Sequence, residues 1–392
     1  MGIRVAVIDD NPHVRWHGEV YPVNATFHSF LSAFLDLDAS PVASIAHVVP
    51  LRELPDDAPQ PQTLPLDPRL EVVATEPFDG IAGYLRRLPV ITARNVGPLR
   101  RAIRDADLVW LKVPASNALL GGFIAAVNRK PRFGYVAGSS VEVVRGQRRR
   151  GLPRTIALLV GALYDASGVV ASGTHRVVVG RDMARNGVVT SLVQAEEIRP
   201  PRPDWPREPD RLRLAWAGRL ADGKGLDTLI RAMAGSAPAF ELSVLGDGPD
   251  RDRLVALALS LGVTEQVHWQ GYVSNRPTYL QMLADADVFV YPSPAEGFPK
   301  VLLDAMAVGL PVVASPAGTL AELVSVGLFE PVTAGDPAAL RASLTDLMAR
   351  PARAADLRSA GTKFAVAHTR PAEAARLVKS WRAAYPGLPW GS

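Results

Sequence analysis

The chain reads as a two-domain α/β protein in which each half builds a parallel sheet covered by helices on both faces. Three observations predict this. Its 392 residues exceed what one hydrophobic core usually organises. Apolar runs of strand length alternate with helix-like segments along both halves, the pattern that parallel sheets require. A proline-rich stretch at residues 199–210 interrupts that rhythm near the middle and is expected to link the halves.

The first strand is expected at residues 3–8, followed by helix-like segments at 26–37, 96–103 and 119–128 and a strand at 108–113. Residues 50–68 are rich in proline and read as a long loop inside the first domain. The second half repeats the rhythm, with strands at 212–217, 240–245, 267–270 and 288–291 and helices at 226–234, 251–261, 279–284 and 301–308. Asp105 and Asp107 are echoed by Asp285 and Asp287, each pair at a helix end entering a strand. Both pairs precede buried strands, so they are read as structural and no metal site is assigned.

A hydrophobic content of 48% marks a globular chain. Cysteine is absent, which excludes disulfides, thiolate nucleophiles and cysteine-ligated zinc and fits a reducing cytosol. The amino terminus turns acidic at Asp9 and Asp10 after a short apolar run, which suits a core strand and not a signal peptide. The longest apolar stretch, residues 155–171, is broken by Asp165 and reads as too short and mixed for a membrane span. Charge is uneven: residues 1–85 hold four basic against twelve acidic side chains, and residues 86–154 hold fifteen against three. The basic segment suits an anionic acceptor or an anionic membrane surface, or is a solvated face with no partner. Nucleic acid is disfavoured, because Phe and Tyr are sparse there and no recognition motif accompanies the arginines. The expected location is the cytoplasm, with peripheral contact at the inner face of the membrane.

Open α/β sheets bind ligands beyond the carboxyl ends of their strands. Beyond the strand at 288–291 comes Glu296-Gly297-Phe298-Pro299-Lys300 and then a helix. Pro299 suits a first helical turn, and Gly309 with Pro311 stops the helix. Backbone amides around residues 297–300 therefore favour an anion. Glu296 and Asp304 flank the helix start and are placed to grip different hydroxyls of one ligand. Beyond the strand at 212–217, Gly218, Arg219, Lys224 and Gly225 combine two cations with close backbone approach, which suits a diphosphate. Gly246, Asp247 and Gly248 form a tight turn that would line the cleft, and Gly271 with Tyr272 would present backbone to a nucleobase. In the first half, His17 and Gly18 lie in the first strand-to-helix loop and Ser139 follows a mid-domain strand. His175 is expected to follow another strand toward the interdomain gap, whereas His28 reads as a core residue. A nicotinamide-binding fingerprint would need Gly-x-Gly-x-x-Gly after the first strand, where Asp9-Asp10-Asn11-Pro12 stands.

Taken together, and most specifically across residues 211–325, these motifs resemble glycosyltransferase family 4. Its members are retaining, nucleotide-sugar-dependent enzymes of GT-B architecture, in which two Rossmann-like domains face an interdomain cleft. The resemblance implies that Arg219 and Lys224 hold the donor phosphates, Glu296 a donor-sugar hydroxyl and Asp304 the ribose. It also implies a metal-independent transfer with retention to an acceptor hydroxyl, needing no cofactor beyond the nucleotide-sugar donor. The implied domains are residues 1–198 for the acceptor and 211–370 for the donor, with a final helix in 371–392 crossing back to the first domain. The chain departs from the family at Asp304, where glutamate is usual, and across Gln194 to Glu197, where an Asn-Gly-Val-Asp segment is usual. The first loop also lacks the usual glycine pair, and the mid-domain loop the usual histidine. A nucleotide-sugar 2-epimerase of the same fold and a degenerate sugar-nucleotide-binding protein stay open as alternatives. The acceptor, whether lipid, polysaccharide or small natural product, is left open.

Overall fold

The computed structural model describes residues 2–390, apart from 24, 39, 62, 79–82, 85, 142, 143, 145–151, 183–186, 236–238 and 296. The first sheet contains β1 (Ile3–Ile8), β2 (His13–Trp16), β3 (Glu19–Pro22), β4 (Val42–Glu53), β5 (Leu70–Thr75), β6 (Leu108–Val113), β7 (Arg132–Val136) and β8 (His175–Val178). Six of these strands run parallel in the order β5-β4-β1-β6-β7-β8. The antiparallel pair β2 and β3 joins through β2 to Leu51–Glu53, beyond the part of β4 that pairs with β5. Helices α2 (Leu88–Asp105), α3 (Ser116–Val127) and α4 (Leu152–Ser172) pack on one face, while α1 (Ala25–Leu35) covers the other. The helix α2 starts well before residue 96: Pro98 sits inside it and hides its first turns from a sequence reading.

The second sheet contains β9 (Arg211–Ala217), β10 (Ala239–Leu245), β11 (Val267–Gly271), β12 (Val288–Tyr291), β13 (Val312–Ala314) and β14 (Glu330–Pro331). Its order, β11-β10-β9-β12-β13-β14, is the same doubly wound pattern, all parallel. Helices α5 (Leu226–Met233), α6 (Arg251–Ser260), α7 (Arg276–Ala284), α8 (Val301–Ala307), α9 (Leu320–Leu323), α10 (Pro337–Ala349) and α11 (Pro351–Ala367) surround it. The local echo between the halves has a structural basis. Asp107 accepts from the Arg4 amide at 2.8 Å and returns a backbone bond to the Arg4 carbonyl at 2.8 Å. Asp287 does the same to Arg213, at 3.0 Å and 2.7 Å. Each aspartate thus locks the entry of one strand to the start of the central strand.

The last helix, α12 (Arg370–Ala384), returns to the first sheet. Trp381 stacks on Phe34 with ring centroids 5.2 Å apart and meets the Trp110 edge at 5.3 Å, completing an aromatic cluster with Phe30 and Tyr135. Glu373 accepts from the Val189 amide at 2.8 Å, fixing the helix to the chain after β8. The proline-rich stretch is packed on the second domain instead of hanging free. The Trp205 indole donates to the Asp287 carbonyl at 2.7 Å, and Gly309, at φ 76°, leaves room for Pro201 where a Cβ would come within 2.9 Å.

One element differs in character from its sequence reading. Residues Thr155–Ser172 meet the length and composition of a bilayer-crossing helix, although Asp165 lies within them. In the fold they belong to α4, which packs against β6, β7 and α3. Asp165 turns inward, accepting from Ser139 Oγ at 2.7 Å and the Ser140 amide at 2.9 Å.

Candidate functional site

In a doubly wound sheet the loops diverge at the switch point of the strand order, leaving a crevice at the carboxyl ends. Here that point lies between β9 and β12. The loop after β9 carries Gly218, Arg219, Lys224 and Gly225, and the loop after β12 leads to Gly297, Phe298, Pro299 and Lys300. Close packing joins them: Gly225, at φ 73°, leaves no room for a side chain, since a Cβ would stand 2.1 Å from the Pro292 carbonyl oxygen. Ser293 Oγ donates to the Gly223 carbonyl at 3.0 Å. Arg219 is exposed and Lys224 half-buried on this loop.

The neighbouring loops are zipped to it by backbone. The Gly218 amide donates to the Leu245 carbonyl at 3.0 Å, the Leu220 amide to Asp247 at 3.0 Å, and the Gly246 amide to Gly271 at 2.8 Å. Gly246 approaches the Gly218 carbonyl so closely that a Cβ would lie 1.9 Å from its oxygen. Asp247 and Tyr272 are exposed beside this seam. The glycines at 218, 246 and 271 thus let three loops share one edge of the crevice.

Helix α8 begins at Val301, so Pro299 lies two residues ahead of it and contributes its carbonyl to the Leu302 amide at 3.1 Å. Glu296 falls outside the described residues. Asp304 is buried in α8 and already engaged: Arg276 donates to its Oδ1 at 2.8 Å and the Tyr279 hydroxyl to its Oδ2 at 3.3 Å. The same guanidinium makes a bidentate pair with Glu197, at 2.9 and 2.8 Å. The stretch from Gln194 to Glu197 therefore anchors α8 through Arg276, a residue that nothing in the sequence singles out.

The segment 297–300 also meets the first domain. A Cβ on Gly297 would lie 2.8 Å from the Ala137 carbonyl oxygen, beyond β7, and one on Gly180 would touch Phe298 and Thr319. Thr319 Oγ1 donates to the Gly297 carbonyl at 2.8 Å, and the Asp182 amide donates to Glu322 at 3.0 Å. Lys300 is close enough to Lys112 and Asp9 to feel their charges. Burial, followed by the Lys112 charge, pushes its ammonium down to about 7. Asp9, beyond β1, is paired with Lys112 at 2.9 and 3.0 Å. Burial opposes its ionisation, yet Lys112 and His47 hold the carboxyl well below the usual range. Asp10 caps α3 through the Ser116 and Asn117 amides, and burial pushes it up to about 6. Asp9 and Asp10 were legible by position, since they close the central strand of the first sheet.

One first-domain expectation, that of His175, is corrected. His17 and Gly18 occupy the exposed two-residue turn joining β2 to β3, at φ 47° and 84°, in a hairpin that precedes the first helix. His175 starts β8 opposite Phe133 and packs on Tyr385, so it lies at the amino ends of the strands, away from the cleft. It precedes its strand instead of following one. Ser139 does lie beyond the carboxyl end of β7, bonded to Asp165. His28 is buried in α1.

Residues 199–364 match the family model described as Glycosyl transferases group 1. A GDP-mannose-dependent alpha-(1-6)-phosphatidylinositol monomannoside mannosyltransferase of Mycolicibacterium smegmatis is 34% identical over 192 residues, covering 45% of this chain and 50% of that protein. A D-inositol 3-phosphate glycosyltransferase of Actinosynnema mirum is 36% identical over 193 residues, covering 45% of this chain and 44% of the other. An uncharacterized glycosyltransferase of Methanocaldococcus jannaschii is 40% identical over 117 residues, 29% of this chain and 30% of that one. The chain thus spans at most half the length of these curated relatives. Among solved structures, sucrose-phosphate synthase from Thermosynechococcus elongatus superimposes with a TM-score of 0.71 at 18% identity, covering 98% of this chain and 100% of that one. HepE of Anabaena, solved with UDP-glucose, gives 0.64 at 16% identity, with 97% and 100% covered. The fold is GT-B.

Proposed function

We propose that the protein is a retaining glycosyltransferase of family 4 that moves a sugar from a nucleotide-diphosphate sugar to an acceptor hydroxyl without a metal ion. The observation that carries this reading is the convergence of the Arg219–Lys224 loop and the 297–300 loop at the switch point, locked together at Gly225 and Ser293. A diphosphate lying there meets two cations and backbone amides. As the bond from sugar to phosphate breaks, negative charge grows on the leaving oxygen, and fixed positive charge stabilises it. The acceptor hydroxyl enters from the first-domain side and attacks the face the phosphate leaves, its proton passing to the departing phosphate oxygen. Glu296 holds a hydroxyl of the donor sugar, and the carboxylate of Asp304 faces the ribose while Arg276 steadies it. The seam of Gly246, Asp247, Gly271 and Tyr272 lines the nucleoside. Acceptor contacts come from the carboxyl ends of β1, β6 and β7 and the loops beyond them, where Asp9, Lys112 and Ser139 stand.

A thermal-shift panel of UDP, GDP, ADP and dTDP sugars tests the donor class, since a ligand stabilises with the logarithm of its occupancy. One nucleotide series should raise the melting temperature, and product formation should persist in EDTA with the anomeric configuration kept. Stabilisation by none of them, or turnover of donor to an epimer without acceptor, contradicts the proposal.

A further inference from the structure

Helix α4 is amphipathic the wrong way round for a helix that only covers a sheet. Its inward face is small or polar: Gly161 lies against Ser140, Gly168 against Val113, Asp165 binds Ser139 and Ser140, and the Tyr164 hydroxyl meets Ser116 Oγ at 2.9 Å. Its outward face is aliphatic. Ile156, Leu159, Leu163 and Val170 are 53%, 62%, 72% and 77% exposed, a stripe at helical spacing along a helix about 30 Å long. Neighbouring α3 adds Phe123 and Val127, each 68% exposed. Isolated exposed apolar side chains are ordinary, but a contiguous row of this size marks a covered surface.

The rim of the row is basic. At the carboxyl ends of α3 and α4 lies a recess of about 310 Å³ lined by Arg129, Lys130, Arg132, His175 and Tyr385. Arg132 Nη1 donates to the carbonyls of Gly122 in α3 and Ala171 in α4, so this charge sits at the junction of the two helices. The nearby acids Asp105 and Asp107 are occupied by Arg104 and by the Arg4 amide. A second copy of the chain seated on this face by a two-fold contact would bring like charges together. A surface that is apolar in depth and anionic at its boundary satisfies both features at once.

We propose that the outward face of α3 and α4 docks in the plane of an anionic lipid bilayer, with the aliphatic stripe in the interfacial layer and the Arg129–Arg132 rim on the headgroups. The inward anchors of Asp165 and Tyr164 keep α4 on the sheet, so it lies on the membrane and does not cross it. This places the headgroup contacts at Arg129–Arg132, inside the basic segment 86–154, and extends the contact to the aliphatic face of α4 beyond it; it stands apart from the donor chemistry.

The test is flotation of the full chain with phosphatidylcholine vesicles with and without phosphatidylglycerol. Wild type should float with the anionic vesicles and be released by salt, whereas the Leu159→Glu/Leu163→Glu variant should partition at least about tenfold more weakly. Melting temperature and nucleotide-sugar binding measured without vesicles should match wild type, which separates loss of docking from misfolding and from failure of the donor site. Arg129→Glu should weaken flotation and leave melting unchanged. Equal flotation of the double variant overturns the proposal, as does absence of wild-type flotation. A wild-type dimer that the double variant converts to monomer would show that a second copy covers the face, and would overturn it too.

Discussion

Arg276 holds Asp304 at 2.8 Å and, through the same guanidinium, both oxygens of Glu197, so one side chain ties the segment before the second domain to α8, which follows the 297–300 loop. Asp304 is buried, and removing Arg276 takes away the cation hydrogen-bonded to it beside the Tyr279 hydroxyl. Breaking such a buried pair costs about 3–5 kcal/mol. Arg276→Ala should therefore lower stability by that order, and a double-mutant cycle with Asp304→Ala should give a coupling of about 1–3 kcal/mol in denaturant unfolding. Additive effects would show that the two residues act independently.

Lys300 supplies a pH signature. Its ammonium is pushed down to about 7 from an ordinary 10.5, chiefly by burial and then by Lys112. Between those values the unfolded chain binds the extra proton, so this residue makes stability rise with pH across that window. Lys300→Met removes the penalty, which is fully present below the folded value and gone above the unfolded one. The variant should melt roughly 2–4 °C above wild type near pH 6 and converge with it toward pH 10. A difference that does not change with pH would refute this.

Gly225 joins the loops after β9 and β12 at a point where a methyl group would strike the Pro292 carbonyl. Gly225→Ala should lose about 1–3 kcal/mol of stability and most nucleotide affinity. Gly262→Ala is the control: its φ of 69° is similarly left-handed, but nothing lies within 4 Å of the added carbon. Equal behaviour of the two variants in melting and calorimetry would show that backbone strain alone is at work.

Trp381 fills the space between Phe34, Trp110 and Phe133. Trp381→Ala should cost about 3–5 kcal/mol in chemical unfolding, because the aromatic cluster around it cannot close the gap. A loss below about 1 kcal/mol would mean that α12 is dispensable to the first domain's core.

The second domain was easier to read than the first, for a physical reason. Its central strand β12 is buried throughout and β9 over its last four residues, so the runs ending at Ala217, Leu245 and Tyr291 announce themselves. The first domain inserts a hairpin after β1, hides Pro98 inside α2 and turns the apolar side of α4 to solvent, and each feature breaks the usual link between pattern and burial. The glycine-and-cation loop at 218–225 was legible because its residue types follow a strand directly. Arg276 was not, since its role depends on Glu197 and Asp304 meeting it from distant parts of the chain. His175 misled because the apolar run before Gly173 reads as a strand, whereas it is the end of α4 and β8 begins at His175 itself.

The central claim is that Arg219 and Lys224 form the diphosphate site at the switch point of the second sheet. Calorimetric titration of UDP and GDP into wild type, Arg219→Ala and Lys224→Ala tests it most directly. Each substitution should weaken binding of the preferred nucleotide by roughly 1.5–3 kcal/mol, the worth of a charge-assisted contact to phosphate. Unchanged affinity in both variants would contradict it.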